Sequence, residues 1–515
     1  MRNQKKEIIA AIDVGSNSIR MKIAEINSGG EIKELETLRK TVMLGKESFS
    51  LGHISFETVD VVCEILKGFK DLMTQYEVKT YRAVATSAIR DASNRSYILD
   101  QIEIKTGIHI DVLNTSEEKF ITYKGIEEDL VNFKELKDEG VIIVDIGTGS
   151  IAITQYKDSQ LVFTQNIKLG ALRIKETLST LEGKTLNYYK IVEEFFISNI
   201  DKLDMSLFKD KKNFVGLGGV MQTLKSIEKK LNNNYTDDHF SKEDFLGLYN
   251  QLINQSPYKI VEEFEISFEK ADILIPALII FKKFLELSKV DNIYISTVSL
   301  KDGVICDLID HKFKTERQRI FINDIISSAR SLGKKYDYDK KHACAVEKYG
   351  LKIFDSLKRI HGLRTHERLI MQLACIVHDI GKYIKYNGHY IYSYNIIKAT
   401  GIIGISERDL EIVASIAKYH STLVLSDKDQ DLKGLDTKTK IIIGKLSAIV
   451  RLADALDRSH KQKIKDIKVK IDKKDIIIYI YTNEDTLLEE WALEKKSYLF
   501  KDVFGYNPIL KKRMC

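Results

Sequence analysis

The sequence predicts a multidomain chain that is α/β over its first 300 residues, all-helical after about residue 315 and closed by a small α+β tail. Three observations predict it. Strand-like and amphipathic helical runs alternate through the first 300 residues. Strands then give way to long helical stretches. One polar loop also recurs in form at a domain-sized distance.

The elements follow in order. "IIAAIDVGSNSIRMKIAEI" (8–26) reads as two apolar strands around a polar tip, and "VDVVCEILKGFKDLM" (59–73) has helical spacing. "TYRAVAT" (80–86) and "VIIVDI" (141–146) read as strands, the second fully buried. "ERLIMQLACIVHDIGKYI" (367–384) and "IIIGKLSAIVRLADALDRS" (441–459) read as helices, and "DIIIYIYT" (475–482) is the clearest strand of the tail. The expected domains are 1–128, 129–312, 313–462 and 463–515.

Composition narrows the classes. With 515 residues, 44% of them hydrophobic, the chain can bury several cores. A balance of 80 basic against 74 acidic residues is too mild to mark a nucleic-acid or membrane binder. Cys63, Cys306, Cys344, Cys375 and Cys515 are scattered without a Cys-x-x-Cys pair, which argues for reduced thiols and against a zinc ribbon. The opening "MRNQKKEIIAAID" lacks the apolar core of a signal peptide, and "ILIPALIIF" (273–281) is too short to span a bilayer and contains Pro276. A soluble, cytoplasmic protein is expected.

The recurring loop carries the chemistry. Asp13-Val-Gly-Ser-Asn-Ser is echoed by Asp145-Ile-Gly-Thr-Gly-Ser, 145 − 13 = 132 residues on. A turn needs glycine or asparagine but not an acid at a strand end. Backbone N–H groups of a glycine-containing loop can donate to phosphate oxygens, and the two aspartates would hold magnesium directly or through water. An ordinary hairpin is the plain alternative for either loop alone.

These loops and their neighbours resemble the exopolyphosphatase/guanosine pentaphosphate phosphatase (Ppx/GppA) family, whose fold is a duplicated actin-like (ribonuclease H-like) domain. "AAIDVGSNSIR" (10–20), "AVATSAIRDASN" (83–94), "LNTSEEKFITYKGI" (113–126), "VDIGTGS" (144–150), "FVGLGGVMQTL" (214–224) and "ISTVSLKDGVICDL" (295–308) resemble its ordered motifs. The resemblance implies hydrolysis of the terminal phosphoanhydride of inorganic polyphosphate, or of pppGpp to ppGpp, in a cytoplasmic homodimer. It implies Glu118 as the base for water and Arg90 against the phosphoryl oxygens. Phosphate would be wrapped by Gly15, Ser16 and Asn17, by Gly147, Thr148, Gly149 and Ser150, and by Gly218 and Gly219, with Mg2+ at Asp13 and Asp145. No nucleic acid or membrane partner is implied.

The sequence departs from the family pattern. Thr148 and Thr115 stand where glycines are usual, Val220 replaces a threonine, and Ala152 stands where a glutamate is expected. Threonine for glycine restricts a loop backbone, and the missing glutamate raises a degenerate sensor of guanosine nucleotides as an alternative. A sugar or acetate kinase of the same superfold would need an acceptor site that is not identified.

In the helical half, "HACAVEKYGLKIFDSL" (342–357), "ACIVHDIGKYI" (374–384) and "IVRLADALDRS" (449–459) resemble the HD phosphohydrolase domain. His342, His378, Asp379 and Asp454 match its four ligands, and His389 and His420 lie where two-metal members add more. The resemblance implies a second divalent metal there, with a degenerate structural domain as the plain alternative; a metal-dependent HD phosphohydrolase that the N-terminal half only regulates is a rival reading of the whole chain. Asp457 could replace Asp454, and His361 and His366 have no assigned role. The basic run 460–474 reads as a half-buried strand or a guide for a polyanion, and Trp491 as a core residue.

Overall fold

The computed structural model describes residues 6–513 apart from 28–29, 131, 186, 201–207, 209–212, 233–238, 289, 291 and 424–428. Cys515 lies outside the described residues; Cys63, Cys306, Cys344 and Cys375 are free thiols. The chain divides into two compact units, Met1–Asp324 and Ile325–Cys515.

The first unit is built on two sheets of the same plan. In one, β1 (Glu7–Val14), β2 (Ser18–Ile26) and β3 (Ile32–Thr41) form an antiparallel meander, with β4 (Thr80–Ala85) and β5 (Ile110–Val112) added parallel to β1, giving the order β3-β2-β1-β4-β5. In the other, β6 (Val141–Ile146), β7 (Ile151–Lys157) and β8 (Gln160–Ile167) repeat the meander, and β9 (Asn213–Leu217) and β11 (Asn292–Ile295) follow in parallel. The short β10 (His239–Ser241) pairs antiparallel with β11 at the edge. The repeated loop of the sequence is thus a repeated fold.

The burial pattern explains the strand sequences. Residues 9–14 of β1 and all of β6 are buried, so both read as continuous apolar runs rather than alternating ones. One face of the first sheet packs on helix Phe56–Gln75, whose apolar positions Val59, Val62, Leu66, Phe69 and Met73 recur at helical spacing. Its other face, with Ile9, Ala11, Ala24 and Ile26, is covered by Leu300, Val304, Ile305 and Ile309 of helix Leu300–Phe313. The second sheet packs on helix Phe268–Leu287 and its neighbours.

The second unit holds helices Lys340–Ser356, Thr365–Val377, His389–Thr400, Glu407–Tyr419 and Thr437–Ala455, then a three-stranded sheet of β12 (Asp466–Asp472), β13 (Asp475–Tyr481) and β14 (Asn507–Arg513) in the order β12-β13-β14. Helix and tail, expected as separate domains split at 462/463, form one compact unit. The two compact units divide at 324/325, inside helix Glu316–Lys335, whereas the expected domain boundary is 312/313, just before that helix. The first turns of that helix are tied to the first unit: Phe321 meets Phe120 edge-on at 4.9 Å, and Tyr156 donates to Asp324 at 3.2 Å.

β12 behaves as the half-buried strand expected, with Ile467 inward and Lys468 and Lys470 exposed. Trp491 does not join the core. It is 53% exposed on helix Leu487–Lys496, whose inward positions are Glu489, Ala492, Leu493 and Lys496. Among the described residues, no helix is long and apolar enough to cross a membrane.

Candidate functional site

The two hairpin tips of the first unit have the same turn. Gly15 N donates to Ser18 O at 3.1 Å, and Gly147 N donates to Ser150 O at 2.9 Å. Each turn leaves its aspartate at the end of a central, buried strand. Asp13 and Asp145 are 5% and 4% exposed. Neither Thr115 nor Thr148 has a positive φ, so the glycines expected there are not required by this backbone.

Between the tips lies a cavity of about 650 Å3. Asp13, Gly15, Ser16, Asn17, Glu118, Asp145, Gly147, Thr148, Gly218 and Gly219 all line it. Gly218 (φ 106°) opens helix Gly219–Leu231 toward the cavity, and a Cβ there would stand 2.4 Å from Ile146 O. The first N–H groups of that helix have no intrahelical partner and suit an anion.

Gly149, Ser150 and Arg90 are not among the lining residues. Gly149 instead seals the two loops together, since a Cβ at that position would meet Ser87 Oγ at 2.3 Å. Ser87 Oγ in turn lies 2.9 Å from Ser16 Oγ. Arg173 reinforces the closure by donating to Gly149 O at 2.9 Å and pairing with Asp91. Arg90 stands behind Glu118, its Nη1 donating to Leu113 O at 2.6 Å and to Glu118 Oε2 at 3.2 Å. The guanidinium expected to face the phosphoryl group thus backs a carboxylate.

Glu118 is positioned by the start of helix Thr115–Asp129, where Asn114 caps and Glu117 completes a capping box. Burial works to raise the Glu118 carboxyl, but Lys119 and Arg90 outweigh it and hold it below its usual range. Lys119 is the residue that sequence reasoning missed. Its ammonium is 2.8 Å from Asp145 and 3.3 Å from Glu118. Asp13 differs: burial pushes its carboxyl up to about 6, against a weaker opposing pull from Arg20 at 3.9 Å.

The two aspartates therefore fit a divalent cation differently. Asp13 is a buried acid lacking full compensation, which a cation would supply. Asp145 already has a cation in contact.

The lining is strongly basic. Besides Lys119 it carries Arg20, Arg39, Lys225, Lys229, Lys270 and Lys301, and among the described residues that line it none is aromatic or histidine. Burial and the neighbouring Arg20 push the Arg39 guanidinium down, and Lys270 is lowered by burial and by both arginines.

The second unit brings together all six residues expected there. His378 Nε2 faces His342 Nε2 at 3.3 Å, and His389 Nε2 faces His420 Nε2 at 3.2 Å. Asp379 lies between the pairs, with one oxygen 3.0 Å from His389 and 3.3 Å from His420 and the other 3.7 Å from His342. Asp454 is 3.1 Å from His342 and also pairs with Lys496. Ligand atoms of His342, His378 and Asp379, and of Asp379, His389 and His420, lie close enough to share a cation in each group.

The tautomers are fixed by the backbone. Nδ1 of His378, His389 and His420 meets the carbonyl three residues earlier, at 2.8, 3.0 and 2.6 Å. A carbonyl only accepts, so each Nδ1 carries the hydrogen and each Nε2 presents a lone pair. Burial drives the His378 pKa down to about 3. His342 differs: burial opposes its charge, but Asp454 and Asp457 outweigh it and hold the pKa at about 9. Lone pairs opposed at 3.2 Å fit a metal ion between them. Asp457 accepts from His342 Nδ1 at 2.9 Å and so orients that ring rather than replacing Asp454. His361 and His366 lie elsewhere, bonded to Phe354 O and Asp409.

Comparison with known proteins bears on the family and the fold. The bifunctional 3-dehydroquinate synthase/phosphatase of Fusobacterium nucleatum is 26% identical over 324 residues, 59% of this chain and 47% of that protein, so the chain spans about half that relative's length. The guanosine-5'-triphosphate,3'-diphosphate pyrophosphatase of Pseudoalteromonas translucida is 20% identical over 418 residues, 81% of each chain. The crystal structure of an exopolyphosphatase from Cytophaga hutchinsonii superposes with a TM-score of 0.53 at 22% identity, covering 59% of this chain and 98% of that one, and shares the actin-like fold. Residues 22–312 match the Ppx/GppA phosphatase family and residues 326–499 match Ppx/GppA phosphatase domain III. On these matches, which cover both units, the chain belongs to the Ppx/GppA phosphatase family.

Proposed function

We propose that this protein hydrolyses the terminal phosphoanhydride of inorganic polyphosphate in the cleft of the first unit, with pppGpp as the rival substrate. One observation carries the preference. The cavity is lined by basic side chains with no aromatic ring among its described residues to stack a guanine, which suits a linear polyanion.

The roles follow from position. Glu118, kept ionised by Lys119 and Arg90, orients the attacking water and takes up its proton late, as a loose phosphoryl-transfer transition state requires. Arg90 is a positioning residue for that carboxylate. The loop N–H groups of Ser16, Asn17 and Thr148 and the helix start at Gly218–Gly219 hold the phosphoryl oxygens, while Gly15 and Gly147 close the turns and let the backbone approach. Mg2+ held through Asp13 would supply the charge that neutralises the terminal phosphates. The dimer and the cytoplasmic location expected from the sequence belong to the same proposal.

The test is phosphate release from long-chain polyphosphate and from pppGpp, with magnesium, for wild type and Glu118→Gln. Release from polyphosphate that disappears in the variant supports the reading. Faster release from pppGpp would overturn the substrate preference, and no release from either would favour a sensor.

The histidine tautomers of the second unit favour a second reading alongside the first: an HD-type site that holds one or two divalent metals and catalyses hydrolysis of its own. Metal analysis of the purified chain tests it. His378→Ala should lose metal, and Asp457→Asn should weaken binding by roughly 10–100-fold while keeping the ligands. Equal metal content in all three proteins would reject the site.

A further inference from the structure

The two halves of the cleft are alike in fold and unlike in charge. Register places Arg20 opposite Asp13 and Ala152 opposite Asp145. Arg20 is 31% exposed and 3.9 Å from its aspartate, a loose pair that leaves Asp13 in need of a cation. Ala152 offers Asp145 no charge at all. Lys119 arrives instead from helix Thr115–Asp129, with a side chain only 5% exposed. Its ammonium touches Asp145 at 2.8 Å and Glu118 at 3.3 Å, and lies 3.6 Å from where a Cβ of Gly147 would stand. A positive charge is therefore built against the second phosphate loop.

We propose that Lys119 is a fixed cation that replaces a metal ion at Asp145, so that Asp13 alone takes up an exchangeable divalent ion in the cleft. This rests on the cleft being the phosphate site. The physical case is mutual dependence. An ammonium this buried is held in place by paired carboxylates, and breaking such a pair leaves an uncompensated buried charge. A divalent ion at Asp145 would have to displace Lys119 from that carboxylate and bring a second like charge beside it. A covalently tethered charge is also not lost by dissociation, whereas a bound ion is. Removing Lys119 leaves Glu118 and Asp145 without the cation they share, the arrangement that recruits a metal.

The experiment counts bound manganese by electron paramagnetic resonance on the full chain at saturating inorganic phosphate. It needs no turnover, so it reads independently of whether polyphosphate is the substrate. Manganese held by the second unit is common to all variants and cancels. Asp145→Asn should bind as many ions as wild type, and Asp13→Asn one fewer. Lys119→Met should bind one more, and adding Asp145→Asn should remove it. Loss of an ion in Asp145→Asn, an unchanged count in Asp13→Asn, or an unchanged or lower count in Lys119→Met would each overturn the proposal. Should Lys119→Met not fold, the two aspartate variants decide it.

Discussion

Glu117 and Glu118 are neighbours in sequence and opposite in duty. The Glu117 carboxylate accepts from Asn114 N at 3.0 Å and closes the helix end, while Glu118 turns into the cavity between Arg90 and Lys119. On the role proposed for Glu118, the pair separates stability from chemistry. Glu118→Gln should lower polyphosphate kcat by about 100-fold or more with little change in melting temperature. Glu117→Ala should cost about 1 kcal/mol of stability and leave kcat within a few-fold. Denaturant melts beside phosphate-release assays check both, and equal loss of activity in the two variants would contradict the division.

Arg90 acts through Glu118, and that gives it a signature in pH. With Glu118 as the proposed base, the ionised carboxylate is the active form and activity is expected to fall as pH drops through its pKa. Arg90 helps to hold that pKa below the usual range. Arg90→Met removes one of its two cations, so the carboxyl rises and the acidic limb of the kcat profile moves to higher pH. Turnover at neutral pH should also fall roughly tenfold through lost orientation. A profile that drops in height without moving its acidic limb would mean that Arg90 does not tune Glu118.

Much of this was legible in the sequence, and the gaps have physical causes. The Asp-x-Gly loops and the apolar runs around them are local patterns, so the duplicated sheets and the ends at Asp13 and Asp145 could be read directly. The six residues of the second unit were legible only through the resemblance to the HD domain, whose His378-Asp379 pair is contiguous and easily matched. The Arg90 and Lys119 placements were not. A long flexible side chain reaches in any direction from its helix, and only the tertiary structure tells that Arg90 turns back to Leu113 O and Lys119 forward to Asp145. Ala152 was visible as a missing acid, and its compensation by a lysine 33 positions earlier (152 − 119) was not. Trp491 misled because aromatic residues are usually inward, whereas its helix turns Ala492 and Leu493 to the core.

Burial of Asp13 ties its proposed cation to stability. Its folded pKa of about 6 lies above the ordinary value of 3.8, so the native state binds this proton more tightly than the unfolded chain does. Stability contributed by this group is complete below about pH 4 and is lost as pH rises to about 6, for a total of about 3 kcal/mol. Asp13→Asn should then match wild type near pH 4 and exceed it at pH 7 without metal. Added Mg2+ should raise the wild-type midpoint at pH 7 more than that of the variant. Thermal melts at the two pH values, with and without Mg2+, test this; a variant less stable than wild type at pH 7 without metal would show that Asp13 is already compensated.

Gly149 makes the closure of the two loops a matter of one missing Cβ. An added Cβ would stand 2.3 Å from Ser87 Oγ, 2.7 Å from Ser87 Cβ and 3.0 Å from Phe49. The Ser87 atoms belong to the short helix Ser87–Asp91, which also carries Arg90, so the strain of Gly149→Ala would pass to the backing of Glu118. Overpacking of this kind costs roughly 1–3 kcal/mol, and kcat/KM should fall by about tenfold or more. Ser87→Gly removes both serine contacts and leaves the loop backbone alone. The double variant Ser87→Gly/Gly149→Ala should therefore recover much of the activity that Gly149→Ala loses, even though Ser87→Gly also gives up the hydroxyl contact to Ser16. Strictly additive losses in a double-mutant cycle would mean that the loops are not held together through this contact.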